Sequence, residues 1–578
     1  MAEESRDDWT AAMSEAFSFS IASIEAEREL KEQQKRTKQV EAELRRMQKS
    51  KWWRMTSPLR KTVGKKLEQT PKRAEAKALE AKSEVEARQA ALLRRISTVL
   101  DEYAAPSPDA TSLDASLEAL GALLDAHSHD KPLAWLSFIA IVSQYPTSED
   151  MVRFSTDVIV NGAPAAIAQL LKKNAELPRS WALSAGLELV RDVAVDPTST
   201  SHREFHSGIQ RVVRETVPRW FRDHPVRLMI WGAKGGAYRD PNTSERWRIM
   251  EFEPRVRDVP GLGEVFTPDD IFVPWKTTVV VPEPSTQEDR SAALSCLGTW
   301  SGNQLAAVFY DFIVYTLPDT LTDKSRIGLS NFIPVIRSAH RVSTISATVG
   351  REVESFAALV ENTGLRGPQA AAQLLPVNAI TVPEAERATI EQRLTGVPGL
   401  PLVVSVSSVE PRKNQLMALR AAEKLWNEGL AFQMAFVGWG SWRAEAFFEE
   451  VDRAQQKGRP VRIIRQVDEP TLWTAYTAAT FTMYISIAEG YGLPAAESIA
   501  AGTPVVLSNQ GSMAEIGVGG GALMVDPRNV DEVAAAMRTL LTDDDALATL
   551  RAEAQQRPQS SWDDYADATW RWLVDGES

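Results

Sequence analysis

The sequence predicts an α/β chain: two doubly wound, mostly parallel sheets facing one cleft, preceded by a long helical region. Three observations predict it. Short apolar runs rich in Val and Ile alternate with helical stretches twice over, across 188–385 and again across 386–578, as strands covered on both faces by helices must. A chain of 578 residues exceeds what one hydrophobic core serves, so several units are expected. Residues 1–105 are dominated by Glu, Lys, Arg, Gln and Ala, the composition of long helices.

Bulk properties narrow the function classes. The content is 44% hydrophobic and 25% charged, that of an ordinary globular protein, and the net charge of −12 argues against nucleic acid as a general partner. One cysteine, Cys296, excludes an intramolecular disulfide and a cysteine-rich zinc cluster. The N-terminus is acidic where a secretory signal is basic, and no apolar run approaches the roughly 18 residues of a membrane span. A cytoplasmic protein is expected, with contact to the inner face of a membrane left open.

Within 1–105, the first twenty residues are polar, and from Ile21 no Gly or Pro intervenes before Pro58. Leu30, Thr37 and Leu44 share one heptad position and Val40 and Met47 its partner, a seam for a coiled coil that would make a homo-oligomer. A second helix is expected from Pro71 to Leu100, and a helical hairpin packing on itself is the alternative. Between Arg45 and Arg73 the basic side chains face a single acid, Glu68, with Trp52, Trp53, Met55 and Leu59 among them. Basic residues with interfacial tryptophans suit an anionic membrane surface; a solvated positive patch is the other reading.

Pro106 and Pro108 mark a linker, and 106–187 reads as a helical module without chemistry. From 188 the strands ELVRDVAVD, VRLMIWG, DIFVPW, TTVVVPE, LAAVFYDFI and RVSTIS build the first Rossmann-like unit, to 385. Prolines between Leu375 and Leu400 mark an interdomain connection. PLVVSVSS, AFQMAFVG, VRIIR, FTMYIS, TPVVLSN and ALMVDP build the second, 386–578, which ends in an aromatic helix, SSWDDYADATWRWLV.

Open α/β sheets bind ligands at the carboxyl ends of their strands. There the second unit places Arg412 and Lys413 at a helix start, where cations and free N–H groups can neutralise a diphosphate. The stretch EGYGLPAAESIAAGTP, Glu489–Pro504, supplies the complement. Gly490 and Gly492 admit a ligand to the backbone, Pro494 suits a first helical turn, and the N–H groups of Gly492 and Leu493 face phosphate. Glu489 and Glu497 can accept paired hydroxyls, one from a sugar and one from a ribose. Alternatives are a surface acid for Glu489 and a first-turn, dipole-stabilised glutamate for Glu497.

These residues carry a resemblance. EGYGLPAAES followed by AGTPVV resembles the E-x7-E signature of retaining glycosyltransferase family 4, whose members adopt the GT-B fold. The loop VEPRKN, the VGWGSW stretch that contains Gly438, and SSWDDYADATW extend the likeness over about 401–572. SGIQRVVRE resembles the family's glycine loop near donor phosphate and acceptor, which points to Gly208. AVFYDFI resembles the strand that ends in a His-Asp pair; Tyr310 stands in the histidine's place and Asp311 is the match. Ser408 stands where some relatives carry a phosphate-binding arginine.

The resemblance implies hexosyl transfer from a GDP- or UDP-sugar to a glycan or lipid-linked acceptor, with retention at the anomeric carbon and no metal or other cofactor. Glu489, Asp311 and Tyr310 would be catalytic; Arg412, Lys413, Gly490, Gly492, Leu493, Glu497 and Gly438 would bind donor, and Gly208 acceptor and phosphate. The wording of EPRKN and EGYGLP resembles mannosyl-transferring relatives. Surface polysaccharide or lipid-linked glycan synthesis is the expected setting. Tyr310 and Ser408 favour an alternative, a catalytically weak scaffold or glycan-length regulator acting through its coiled coil. A nucleotide-sugar synthase is a third reading, one that leaves the 190-residue N-terminal extension without a purpose.

Overall fold

The computed structural model describes residues 83–105, 112–205, 207–253, 259–264, 266–377, 379–438, 440, 443–465 and 468–577. The heptad seam of 30–47 and the basic segment 45–73 lie outside them.

The helix over 83–102 (α1) is the described part of the second helix expected in the coiled-coil region, and it is not a solvated strut. Leu92, Ile96, Val99 and Leu100 are buried in one core with α2 (Leu113–Ala126), α3 (Lys131–Val142), α4 (Ser148–Asn161) and α5 (Ala163–Glu176). α3 is apolar all round and is buried at every position from Leu133 to Val142, so it forms the centre of the layer. Arg95 is buried as well, donating to the carbonyls of Ala140 and Ala185, each at 2.7 Å. The same apolar cluster runs on through Phe272, Val281, Leu297 and Phe309, so this helical layer and one face of the first sheet share a core.

The first unit carries β1 (Gly186–Val190), β2 (Val193–Val195), α6 (Gly208–Asp223), β3 (Val226–Leu228), β4 (Ile230–Gly232), β5 (Ala237–Arg239), β6 (Asp270–Pro274), β7 (Thr278–Val281), β8 (Gln304–Phe309), β9 (Arg341–Thr344), α7 (Ala347–Glu361) and β10 (Gln369–Ala372). Six strands form a parallel sheet ordered β10-β9-β8-β7-β2-β3; β1 pairs in parallel with β6, and β4 antiparallel with β5. ELVRDVAVD, expected as one strand, breaks at Arg191 because its halves serve different sheets. VRLMIWG breaks at Met229, whose N–H donates to Val195. The expected linker after Leu375 contains α8 (Glu384–Leu394), whose Ile390 and Leu394 pack under the second sheet.

The second unit carries β11 (Leu402–Val406), α9 (Gln415–Asn427), β12 (Gln433–Val437), β13 (Val461–Ile464), β14 (Phe481–Tyr484), α10 (Leu493–Ala500), β15 (Val505–Ser508), α11 (Gly511–Gly517) and β16 (Ala522–Val525). Its sheet is parallel throughout, ordered β13-β12-β11-β14-β15-β16, so the strand order reverses between β11 and β14 and opens a crevice there. The two parallel sheets expected from sequence are thus both present.

The last helix, α12 (Trp562–Trp570), starts with a capping box between Ser561 and Asp564 and crosses back to the first unit. Trp220 Nε1 donates to the Ala566 carbonyl at 2.8 Å, His224 stacks on Trp570 with centroids 3.8 Å apart, and Trp572 Nε1 donates to the Val342 carbonyl at 2.9 Å. The aromatic surface of this helix therefore closes on the first sheet. Among the described residues no helix is long and apolar enough to cross a membrane.

Candidate functional site

At the reversal in the second sheet, the loop after β11 meets the loop after β14. Asn414 joins them: it adopts φ 62°, which asparagine tolerates, and its amide donates to the Ile485 carbonyl at 3.2 Å and the Pro527 carbonyl at 2.7 Å. Ile487 N–H donates to the Arg412 carbonyl at 2.8 Å. The two loops are thereby held edge to edge, and their charged side chains converge.

Arg412 Nη1 donates to Glu489 Oε2 at 2.8 Å, and its Nε lies 3.2 Å from Glu410 Oε2. Lys413 Nζ lies 2.5 Å from Glu489 Oε1, so the two cations engage both oxygens of the carboxylate. Ser512 Oγ fixes the Glu489 backbone by donating to its carbonyl at 2.8 Å. Burial alone would raise the Glu489 carboxyl; Lys413 and Arg412 outweigh it and hold the group at about 2. Lys413 is shifted down from the usual lysine range, burial outweighing Glu489. The Tyr484 hydroxyl, buried beneath these groups, has no hydrogen-bond partner among the described residues, and Lys413 Nζ stands 5.6 Å from its ring centroid.

Glycines let the walls close. A Cβ on Gly490 would stand 2.2 Å from the Tyr310 carbonyl oxygen, so the Glu489 loop presses directly on the first unit. Gly492 adopts φ 113° and caps α10; no side chain caps that helix, and Pro494 sits in its first turn. Gly438, at the end of β12, lies against the Ser407 carbonyl on the way to Arg412. Gly208 opens α6 opposite Leu493, where a Cβ on Gly208 would stand 3.6 Å from the Leu493 Cδ1, so the starts of α6 and α10 face each other across the crevice.

Three ties seal the units around it. Ser346 Oγ donates to the Gly490 carbonyl at 2.7 Å. Glu515, in α11, accepts from the N–H groups of Ala347 and Thr348 at 2.9 and 3.0 Å and so caps α7 of the opposite unit. Arg211 Nη1 donates to Glu497 Oε1 at 2.6 Å, while Glu497 Oε2 accepts from the Tyr476 hydroxyl at 2.7 Å.

Several of the expected site residues have protein partners in this geometry. Glu497, expected to face a ribose, has both oxygens engaged, one by a cation of the other unit. Arg412 and Lys413, expected to stand ready for a diphosphate, are paired with Glu489. Tyr310, expected at the reacting centre, packs in the first unit's core with its hydroxyl on the Pro282 carbonyl at 2.9 Å, and burial pushes that hydroxyl far above the usual tyrosine range. Asp311 accepts from Ile313 N–H at 3.0 Å; burial raises its carboxyl, and it feels Arg412, Glu489 and Lys413 across the crevice. Sequence reasoning missed Arg211, Tyr476, Tyr484, Ser346 and Glu515. Only Arg211 carried a signal, one helical turn beyond Gly208. Among the described residues, no group of three or more His, Cys, Asp or Glu is placed to hold a metal ion.

Residues 386–557 match a family model described as "Glycosyl transferases group 1". An O-antigen chain mannosyltransferase B of Escherichia coli is 34% identical over 167 residues, 28% of this chain and 43% of that protein. The serotype-specific mannosyltransferase WbdA of Escherichia coli is 24% identical over 330 residues, 55% of this chain and 38% of that protein. The chain therefore spans less than half the length of these two relatives. Among solved structures, Anabaena HepE in complex with UDP-glucose aligns with a TM-score of 0.46 at 16% identity, over 66% of this chain and 98% of that one.

Proposed function

We propose that the chain is a retaining glycosyltransferase that moves a hexose, mannose first among candidates, from a GDP- or UDP-sugar to a hydroxyl of a growing surface polysaccharide or lipid-linked glycan. The observation that carries this reading is the meeting of Arg412, Lys413 and Glu489 at the sheet's crevice, opposite Asp311 and the start of α6. The match of 386–557 supports the reaction class, and the names of the two Escherichia coli relatives favour mannose.

In this reading the donor diphosphate lies against Arg412, Lys413 and the uncapped N–H groups at Gly492 and Leu493. Glu489 accepts from hydroxyls of the donor sugar. The acceptor hydroxyl enters from the side of Gly208 and attacks the anomeric carbon on the face the diphosphate is leaving. The bond from that carbon to the phosphate oxygen breaks, the new glycosidic bond forms, and the acceptor proton passes to the departing phosphate. No side chain has to supply a nucleophile, and Tyr310 serves by positioning. Asp311 orients the acceptor from the opposite wall. The segment before residue 83 would attach the enzyme to anionic lipid or to a second copy.

A panel of sugar nucleotides incubated with the full-length protein, read as acceptor transfer and as slow donor hydrolysis, tests the reading. Glu489→Ala and Lys413→Ala should each lose at least about 100-fold in turnover, read below the melting transition of each variant because each also leaves a buried charge without its partner; undiminished turnover overturns the site. The engagement of Tyr310 and Glu497 in structural bonds favours one second reading, a sugar-nucleotide-binding scaffold, which tight binding without turnover would support.

A further inference from the structure

The charges in the crevice already balance. Arg412 stands between Glu410 and Glu489, Lys413 pairs with Glu489, and the other nearby carboxylate, Glu497, is spoken for by Arg211 and Tyr476. A diphosphate entering this site meets two cations matched by two carboxylates, so a carboxylate must give way. Glu410 is the poorer candidate, since its other oxygen accepts from Ser408 Oγ at 2.7 Å within the same loop. The Glu489 carboxylate is held by its two cations, with no hydroxyl of its own loop bound to it. The backbones on both sides are held by the Ile487–Arg412 and Ser512–Glu489 hydrogen bonds, which leaves the side chains as the parts free to exchange partners.

We infer that Glu489 is an intramolecular competitor of phosphate, and that it thereby selects the intact donor over the spent nucleoside diphosphate. The inference rests on the glycosyl-transfer reading and specifies how its site tells substrate from product. The Glu489 side chain is only 8% exposed, so once displaced it cannot recover solvation from bulk water and must find donors within the crevice. An intact sugar nucleotide supplies them: its phosphates take Arg412 and Lys413 while its sugar hydroxyls take Glu489. A nucleoside diphosphate takes the cations and gives Glu489 nothing. When the sugar has gone to the acceptor, the carboxylate returns to Arg412 and Lys413 and the diphosphate loses its partners. Donor capture and product expulsion are then two directions of one side-chain exchange.

Calorimetric titration of the full chain with GDP, UDP and inorganic pyrophosphate, and with the sugar nucleotide it turns over, tests this against Glu489→Gln. Pyrophosphate probes the phosphate site whatever the base. The Gln variant should bind pyrophosphate and the nucleoside diphosphate about tenfold or more tightly than the wild type, as expected when a close competing charge is removed. It should gain less for the sugar nucleotide, because the amide is a poorer acceptor for the hydroxyls. If the Gln variant does not fold, Glu489→Asp, too short to span both cations, should shift the affinities in the same direction. Unchanged or weaker diphosphate binding by a folded variant, beside a wild type that transfers sugar, overturns the inference and leaves the reaction class standing. A wild type that neither binds nor turns over any sugar nucleotide overturns both.

Discussion

Arg211 of the first unit donates to Glu497 of the second at 2.6 Å, and in this ion pair across the crevice the carboxylate is buried at 4% exposure and the half-buried guanidinium is 18% exposed. Because Tyr476 holds the other Glu497 oxygen, the pair ties α6 to α10 and to the helix Glu469–Ala478 that carries Tyr476. Removing one partner of a buried pair leaves a charge without compensation, whereas removing both does not.

Arg211→Met should therefore lower the stability of the closed arrangement by about 3 kcal/mol. Adding Glu497→Gln should recover most of that loss. Chemical denaturation of the two single variants and the double variant reads the coupling, and additive losses would show that the pair does not act as a unit.

Gly490→Ala is predicted to separate the units without unfolding either. Its Cβ would meet the Tyr310 carbonyl oxygen at 2.2 Å, a backbone atom that cannot rotate away. The expected outcome is a larger radius of gyration in solution scattering and loss of sugar transfer, with the far-UV spectrum retained.

Stability should fall with acid in a window set by Glu489. Its carboxyl is about 2 in the fold against 4.5 as its ordinary value. A depressed acid contributes stability that is present above its unfolded value and is lost as pH falls toward its folded one. The unfolding free energy of the wild type should thus decline from pH 4.5 down toward 2 more steeply than that of Glu489→Gln. Parallel curves for the two proteins would remove the carboxylate from the account.

Cys296 is fully buried in α-helical packing between the first sheet and α4, and burial pushes its thiol well above the usual range. Native protein should resist iodoacetamide, with modification appearing only as denaturant unfolds the first unit. Rapid labelling of folded protein would contradict the packing described.

Much of this was legible in the sequence because parallel strands buried on both faces are written as unbroken apolar runs, as in TTVVVPE and TPVVLSN. The Glu489 loop was legible for a similar reason, since its glycines and Pro494 are demanded by the backbone whatever surrounds them. What could not be read was pairing across the crevice. Arg211 and Glu497 are 286 positions apart, and nothing local distinguishes an arginine that meets a distant carboxylate from one in water. Tyr310 stands after a strand end, as read, but the partner of its hydroxyl, the Pro282 carbonyl just past β7, is likewise unmarked in the local sequence. The apolar stripe of α1 reads equally well as an oligomer seam, and only the apolar surroundings of α3 decide where it packs.

The return of α12 to the first unit has a mechanical consequence. The chain leaves the first unit before α8, builds the second, and comes back through Ser561 to lodge Trp570 and Trp572 on α6 and β9. The second domain is thus moored at both ends of its own sequence. A body held by one tether can swivel about any axis, whereas a second attachment removes part of that freedom. The contacts between the units, Gly490 with Tyr310 and Glu515 with α7, are thereby flanked by two chain crossings, which restrict how the two units can be displaced from this register.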